Sequence, residues 1–362
     1  MKANPLGAPL LIVVGPGGVG KTTLSAALAL DAARNGDDTL VMTFDPSRRL
    51  KDALGVGEEA AGRPVRVGSG TPGRLDASLL DARATFDRLI ARYAPDDAAA
   101  QRIVRNRFYH HLAGGLAGIL EYMAVERLFE VAAEGRYRRV ILDTPPTRQA
   151  LEFLGAPERI VSFLDSGALK IALKPWFDES GRLSSRAGRL VGRGIGALLD
   201  RLIGLALLRD IAEFFQAFGP LFAGFKERAQ SVQLLLRSER TRFALVTGPG
   251  AERVADALYF ARRLDEAGCR LGAVVVNQVH PRAGIPQRGT RDAPAGLQLL
   301  AALGERDQRG VADLASLMPS QHIVSLPLSA EPPAGLEALE ALGASLAAAL
   351  GGKEPAYRTA AS

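Results

Sequence analysis

A segment near the start of the chain, GPGGVGKTT, concentrates residue types suited to holding phosphate: Gly15, Gly17, Gly18, Val19, Gly20, Lys21, Thr22 and Thr23. Glycines let backbone N–H groups turn inward and approach phosphate oxygens, and a helix N-terminus adds its partial positive charge. Lys21 is suited to reach the β- and γ-phosphates, Thr22 to offer its hydroxyl to Mg2+, and Thr23 to donate to the α-phosphate. The full G-x-x-x-x-G-K-T pattern sits between an apolar run and a helical stretch with Leu24, Ala27, Leu28 and Ala32 on one face. Strand, glycine loop and helix in that order imply ATP and Mg2+ as ligands.

Phosphoryl chemistry also needs a carboxylate near the metal and a group that orients the attacking water. Asp143 follows the apolar run in VILDTPPT, and Asp45 follows the one in LVMTFDPS. Ligands of open parallel sheets bind outside the carboxyl ends of the strands, so both aspartates can face the same phosphates. Each also stands shortly before a proline, where aspartate is an ordinary turn former.

The elements that must position these groups recur at wide intervals. Strand-like runs are read at 10–14, 39–43, 65–67, 139–142, 243–246, 271–276 and 322–326, with helical stretches between them. Runs without polar alternation predict strands buried on both faces, hence an α/β doubly wound, mostly parallel sheet. Residues 75–135 and 151–238 carry no strand signal, and predict one helical subdomain built from two insertions. The remaining residues, 1–74, 136–150 and 239–350, then form a discontinuous nucleotide-binding domain. Residues 281–309, rich in Gly, Pro and charge, read as an irregular surface excursion, and 351–362 as a flexible tail.

GPGGVGKTT, TFDPSRRLKDALG, DTPPTRQALEFL and VVVNQ, in this order and spacing, resemble the ArsA-like family of deviant Walker-A ATPases. That family includes arsenical-pump ATPases and targeting ATPases for tail-anchored membrane proteins. The resemblance spans the sheet domain; the helical insertions match only in position and hydrophobicity. It implies a dimeric ATPase in which Asp45, in switch I, acts on the attacking water. Asp143 would hold Mg2+ through water, with switch II running to Thr147. Asn277 would hydrogen-bond the adenine edge, although an asparagine ending a strand also reads as a turn former.

Three departures from the family pattern stand out. Pro16 occupies the position where the family usually carries a lysine that crosses the dimer interface to the other subunit's nucleotide. Arg48-Arg49 and Arg148-Gln149 replace the family's usual His-Asn and Gly-His pairs. The single cysteine, Cys269, excludes the multi-cysteine metalloid and zinc sites of some members, and reads as a small buried side chain. His110, His111 and His280 have no ligand partners at metal spacing.

The helical stretches carry two apolar series. Val191, Ile195, Leu198, Leu202 and Leu205 repeat at helical spacing, followed by Phe214, Phe215, Phe218, Leu221, Phe222 and Phe225. They read either as a client groove or as core. Gly188, Gly192, Gly194 and Gly196 weaken a helix meant only as core.

The net charge of +6 is mostly arginine, and no apolar run approaches a membrane span. The expectation is a cytoplasmic ATPase that forms a homodimer, or a heterodimer with an ArsA-like paralogue. It would serve a protein or membrane-protein client, with room for peripheral membrane contact and without a nucleic-acid partner. Alternatives are a weakly hydrolysing regulatory subunit, favoured by Pro16, and a ParA/MinD-like positioning ATPase.

Overall fold

The computed structural model describes residues 4–43, 49–68, 70–113, 119–145, 154–159, 161–162, 210, 213–214, 217–281 and 294–352. Asp45, Arg48, Thr147, Arg148, Gln149, Phe215, the apolar series at 191–205, the glycines at 188–196 and the tail from 353 lie outside them.

Apolar runs become the strands of one sheet: β1 (Leu10–Val14), β2 (Thr39–Thr43), β3 (Val65–Arg66), β4 (Leu75–Leu79), β5 (Arg139–Asp143), β6 (Thr241–Thr247), β7 (Leu271–Val279) and β8 (Ile323–Pro327). The spatial order is β3-β4-β2-β5-β1-β6-β7-β8. Every neighbouring pair is parallel except β3 with β4. β1 and β2 are buried at each residue, as the absence of polar alternation requires. The fold is thus the α/β, mostly parallel sheet that the pattern predicted. The order reverses at β1, between β5 and β6. Such a reversal opens a ligand crevice at the carboxyl ends of the strands.

The helices are α1 (Lys21–Arg34), α2 (Arg49–Leu54), α3 (Ala82–Tyr93), α4 (Asp97–Arg105), α5 (Arg107–Ala113), α6 (Ile119–Glu134), α7 (Phe222–Arg237), α8 (Ala251–Glu266), α9 (Ala295–Leu317) and α10 (Gly335–Leu350). Alternate strand residues, among them Leu11, Val13, Val41, Ile141, Ala244, Val246, Ala273 and Val275, join Leu24, Ala27 and Leu28 of α1 and Leu339 and Leu346 of α10 in one core. A Cβ on Gly343 would stand 3.1 Å from the Ala27 carbonyl oxygen, so glycine there lets α10 lie close on α1.

The structure corrects two element readings. Residues 75–79 form a strand, β4, where a helical stretch was expected to begin. Its polar residue Asp76 is fully buried because Arg74 Nε donates to both carboxylate oxygens at 2.8 Å and the Tyr137 hydroxyl donates at 2.6 Å. Compensation from outside the strand removes the cost that makes a buried aspartate look implausible. Residues 295–309, expected to be irregular, belong to α9, whose buried stripe is Gly304, Asp307, Gly310 and Leu314. A Cβ on Gly310 would stand 1.9 Å from the Pro249 carbonyl oxygen, so this glycine serves close packing and not a turn.

The chain divides into two compact units. The first, Met1–Leu80, Leu128–Leu154 and Leu235–Ser362, contains the sheet. The second, Asp81–Arg127 and Gly155–Leu234, is helical in its described residues. Asp81 caps α3 by accepting from the Ala84 N–H at 2.9 Å, and Asp96 caps α4 by accepting from Ala99 at 2.6 Å. Phe214, Phe218, Leu221 and Phe225 are buried there. Phe218 meets Phe225 edge-on with ring centroids 4.7 Å apart, and Phe86 meets Tyr109 at 5.1 Å. These aromatics form the unit's core. Within it, Arg228 and Glu126 make a buried ion pair at 2.6 Å.

Candidate functional site

The glycine loop joins β1 to α1 at the point where the strand order reverses. Gly15 has φ 148°, and a Cβ there would stand 1.9 Å from the Val246 carbonyl oxygen of β6. Gly20 has φ 88°, and its Cβ would stand 2.6 Å from Asn277 Nδ2. Only glycine allows the loop to lie this close to the neighbouring strands. Gly20 caps α1 without a side-chain hydrogen bond, and the first turn holds no acidic residue. The amino end of α1 therefore keeps the polarity that favours an anion. Gly17 is half-buried and Gly18 exposed, while Val19 is buried beneath the loop.

Lys21 is buried, and its ammonium donates to the Gly15 and Pro16 carbonyl oxygens at 2.9 Å each. The charge is thus held across the loop itself. Thr22 and Thr23 follow in the first turn of α1, both half-buried.

Asp143, at the end of β5, is fully buried. Its Oδ2 accepts hydrogen bonds from the Thr22 hydroxyl at 2.8 Å and the Thr43 hydroxyl at 3.0 Å. Parallel register sets Thr43 of β2 and Val13 of β1 beside Asp143, and the glycine loop that follows β1 brings Thr22 to the same oxygen. The following residue, Thr144, donates its hydroxyl to the Val13 carbonyl oxygen at 2.7 Å, fixing the exit from β5. Residue types chosen from the sequence, Lys21, Thr22 and Asp143, thus converge at one mouth, and Thr43 joins them.

Asn277 lies within β7, two residues before its end, and its Nδ2 donates to the Val19 carbonyl oxygen at 2.9 Å. The strand is irregular here: Gln278 has φ 62°, and the register with β8 shifts between Val276 and Val279. Just beyond, Asp307 of α9 accepts from the His280 N–H at 3.0 Å, lies 2.7 Å from His280 Nδ1, and takes Arg306 Nη2 at 2.8 Å. Burial raises the Asp307 pKa, but the hydrogen bonds from His280 and Arg306 outweigh it and hold the carboxyl below its ordinary value. His280, without ligand partners at metal spacing, is therefore an anchor for the end of β7.

The donor chemistry suits a magnesium nucleotide. Thr22 and Asp143 supply hard oxygen atoms, and the glycine cradle supplies backbone N–H groups and a lysine. Among the described residues no group of His, Cys, Asp and Glu could hold a metal ion by itself. Cys269 is buried, and burial pushes its thiol up to about 11. Also among the described residues, no helix is long and apolar enough to cross a membrane.

The model of the anion-transporting ATPase family, the ArsA ATPases, matches residues 9–348. The chain belongs to this ArsA-like ATPase family. It is 25% identical over 332 residues to the ATPase GET3 of Chaetomium globosum, covering 91% of this chain and 87% of that one. It is 28% identical over 346 residues to the ATPase ARSA2 of Chlamydomonas reinhardtii, covering 93% and 83%. An uncharacterized protein of Streptomyces coelicolor is 29% identical over 320 residues, covering 85% and 75%. The ArsA-like match runs through both units and is not confined to the sheet.

Three features of this ArsA-like site escaped the sequence reading. Thr43 forms its contact across 100 residues of chain, and its only local signal is a hydroxyl two residues before Asp45. Val246 acts through its backbone, which side-chain type does not reveal. Asp307 was hidden in a segment whose glycines suggested a loop.

Proposed function

We propose that this ArsA-like chain is an Mg2+-dependent ATPase that works as a dimeric switch, coupling its nucleotide state to a protein or membrane-protein client. The observation that carries the reading is the Thr22–Asp143 hydrogen bond of 2.8 Å at the mouth of the glycine loop. In this reading Gly15, Gly17, Gly18, Val19, Gly20, Lys21, Thr22 and Thr23 hold the triphosphate. Thr22 would hold the metal, and Asp143 would hold it through water. When bound, Mg2+ would offset the negative charge that builds on the phosphates.

Asp45 orients the water that attacks the γ-phosphorus, and ADP leaves. Asn277 keeps one amide N–H on Val19 and offers its remaining polar edge to adenine. The amide has two donors and an acceptor, so both roles are compatible. The client would be met through the helical subdomain, and not through Phe214, Phe218, Leu221 or Phe225, which are committed to core. We place the chain in the cytoplasm, without a nucleic-acid partner and with no more than peripheral membrane contact.

Pro16 supports a second reading. It is buried within the single chain and offers neither charge nor N–H. A homodimer would lack the lysine that the family passes between subunits. The chain would then hydrolyse ATP slowly alone, and fully only beside a lysine-bearing paralogue.

Titration calorimetry with ATP tests the common core of both readings. Lys21→Ala should weaken ATP binding tenfold or more, since a charge-assisted hydrogen bond contributes roughly 1.5–3 kcal/mol. Asp45→Asn should keep ATP affinity within a few-fold and stop turnover. Unchanged affinity in the first variant would remove the loop from the site. Full single-turnover activity in the second would remove Asp45 from the mechanism.

A further inference from the structure

The geometry points to Thr43 as a positioning residue for the metal-side carboxylate. Its hydroxyl fixes the direction in which Asp143 faces, and so sets the affinity of the site for Mg2+. This inference rests on the reading of Asp143 as the metal-side carboxylate.

Three observations carry it. Asp143 and Thr43 are both buried, at 0% and 1% exposure, so bulk water cannot replace either as a hydrogen-bond partner. Buried charge without fixed partners is costly, and a carboxylate can otherwise rotate about its Cβ–Cγ bond. Their Cα positions are register partners in the parallel β2–β5 pair, so the two side chains leave the sheet side by side. The same oxygen, Oδ2, takes both the Thr22 and the Thr43 hydrogens.

The two hydroxyls differ in what else is asked of them. Each has one hydrogen and lone pairs that can accept or ligate. Thr22 belongs to the phosphate loop, and its oxygen is the group offered to the cation. Thr43 is fixed on the strand side. Its carbonyl oxygen accepts the Leu80 N–H at 2.7 Å, and β-branching leaves its χ1 little freedom. Thr43 is the stationary reference and Thr22 the ligand.

The test uses the full chain and a fluorescent, non-hydrolysable ATP analogue, titrated with MgCl2. Thr43→Val keeps the shape and removes the hydroxyl; Thr43→Ser keeps the hydroxyl and removes the methyl. The Mg2+ midpoint should rise roughly tenfold in Thr43→Val, as expected for one lost hydrogen bond to a charged group. It should stay within about twofold of the native value in Thr43→Ser, and metal-free analogue affinity should be unchanged in both. If Thr43→Val does not fold by circular dichroism, Thr43→Ala is compared with Thr43→Ser, and the pair again differs by the hydroxyl. Equal midpoints in Val (or Ala) and native protein overturn the proposal, as does a serine variant as impaired as the valine one. Asp143→Asn is measured beside them. If it raises the midpoint and Thr43→Val does not, the positioning role alone fails. If neither moves it, the metal-side reading of Asp143 fails, and the role of Thr43 with it.

Discussion

One sheet buries two carboxylates completely at its opposite edges, and it satisfies them by different chemistry. Asp76, near the amino edge, is gripped by the Arg74 guanidinium and the Tyr137 phenol. Asp143, at the carboxyl edge, takes the hydroxyl hydrogens of Thr22 and Thr43. A guanidinium fork neutralises a carboxylate and fills its lone pairs, leaving a closed structural joint. Hydroxyls orient a carboxylate without neutralising it, and their own oxygens remain available as ligands. The difference separates a carboxylate that holds the fold from the one we propose to meet a cation.

The largest effect expected from this contrast is at Asp143. Asp143→Asn should weaken Mg2+-dependent ATP binding roughly 10–100-fold, the range found when groups that orient a metal site are removed, and turnover should fall with it. Its thermal unfolding should stay near native. A variant that unfolds early while keeping its Mg2+ response would erase the distinction between the two edges.

Cys269 tests whether the amino edge is closed throughout. It precedes β7 by two residues, and burial holds its thiol up at about 11 against an ordinary 9.0, with Arg237 opposing weakly. The thiolate is the reactive form, so alkylation by iodoacetamide near neutral pH should run about a hundredfold slower than in the unfolded chain. The rate should climb tenfold per pH unit until about 11. Rapid modification of the folded protein at neutral pH would show an open edge.

A smaller effect is expected at Tyr137. Tyr137→Phe removes a 2.6 Å hydrogen bond to a buried carboxylate and should cost about 2 kcal/mol of stability in urea unfolding. The Mg2+ midpoint for nucleotide should not move. A shifted midpoint would mean that the two edges communicate.

The glycine loop was legible because all of its information lies in consecutive residues, and its strand and helix flank it directly. Asp143 was legible for the same reason, as a carboxylate ending an apolar run. β4 was not, because one of the two partners that make Asp76 tolerable, Tyr137, lies 61 residues away, and the other, Arg74, shows its grip only once the strand has formed. α9 was misread because the Gly, Pro and charge of 281–309 look like a loop, while the helix that begins at Ala295 shows its packing only where a neighbouring backbone meets it, as the Pro249 carbonyl meets Gly310. Thr43 shows the same limit within the site, since its purpose is fixed by strand register and not by neighbours in sequence. The aromatic series at 214–225 was legible as apolar, with client groove and core both open; Phe214, Phe218, Leu221 and Phe225 are core, a choice periodicity cannot make because it does not say what a face will meet.

β3 has a consequence for handling the protein at high concentration. Open sheet edges expose unpaired N–H and C=O groups that invite another chain to add a strand. Here one edge is only two residues long and ends on exposed Arg66, and the other ends on Pro327, which has no N–H to give. Neither edge is a good template for intermolecular β-pairing. Concentrated or refolding protein should therefore resist fibril-like aggregation through the sheet.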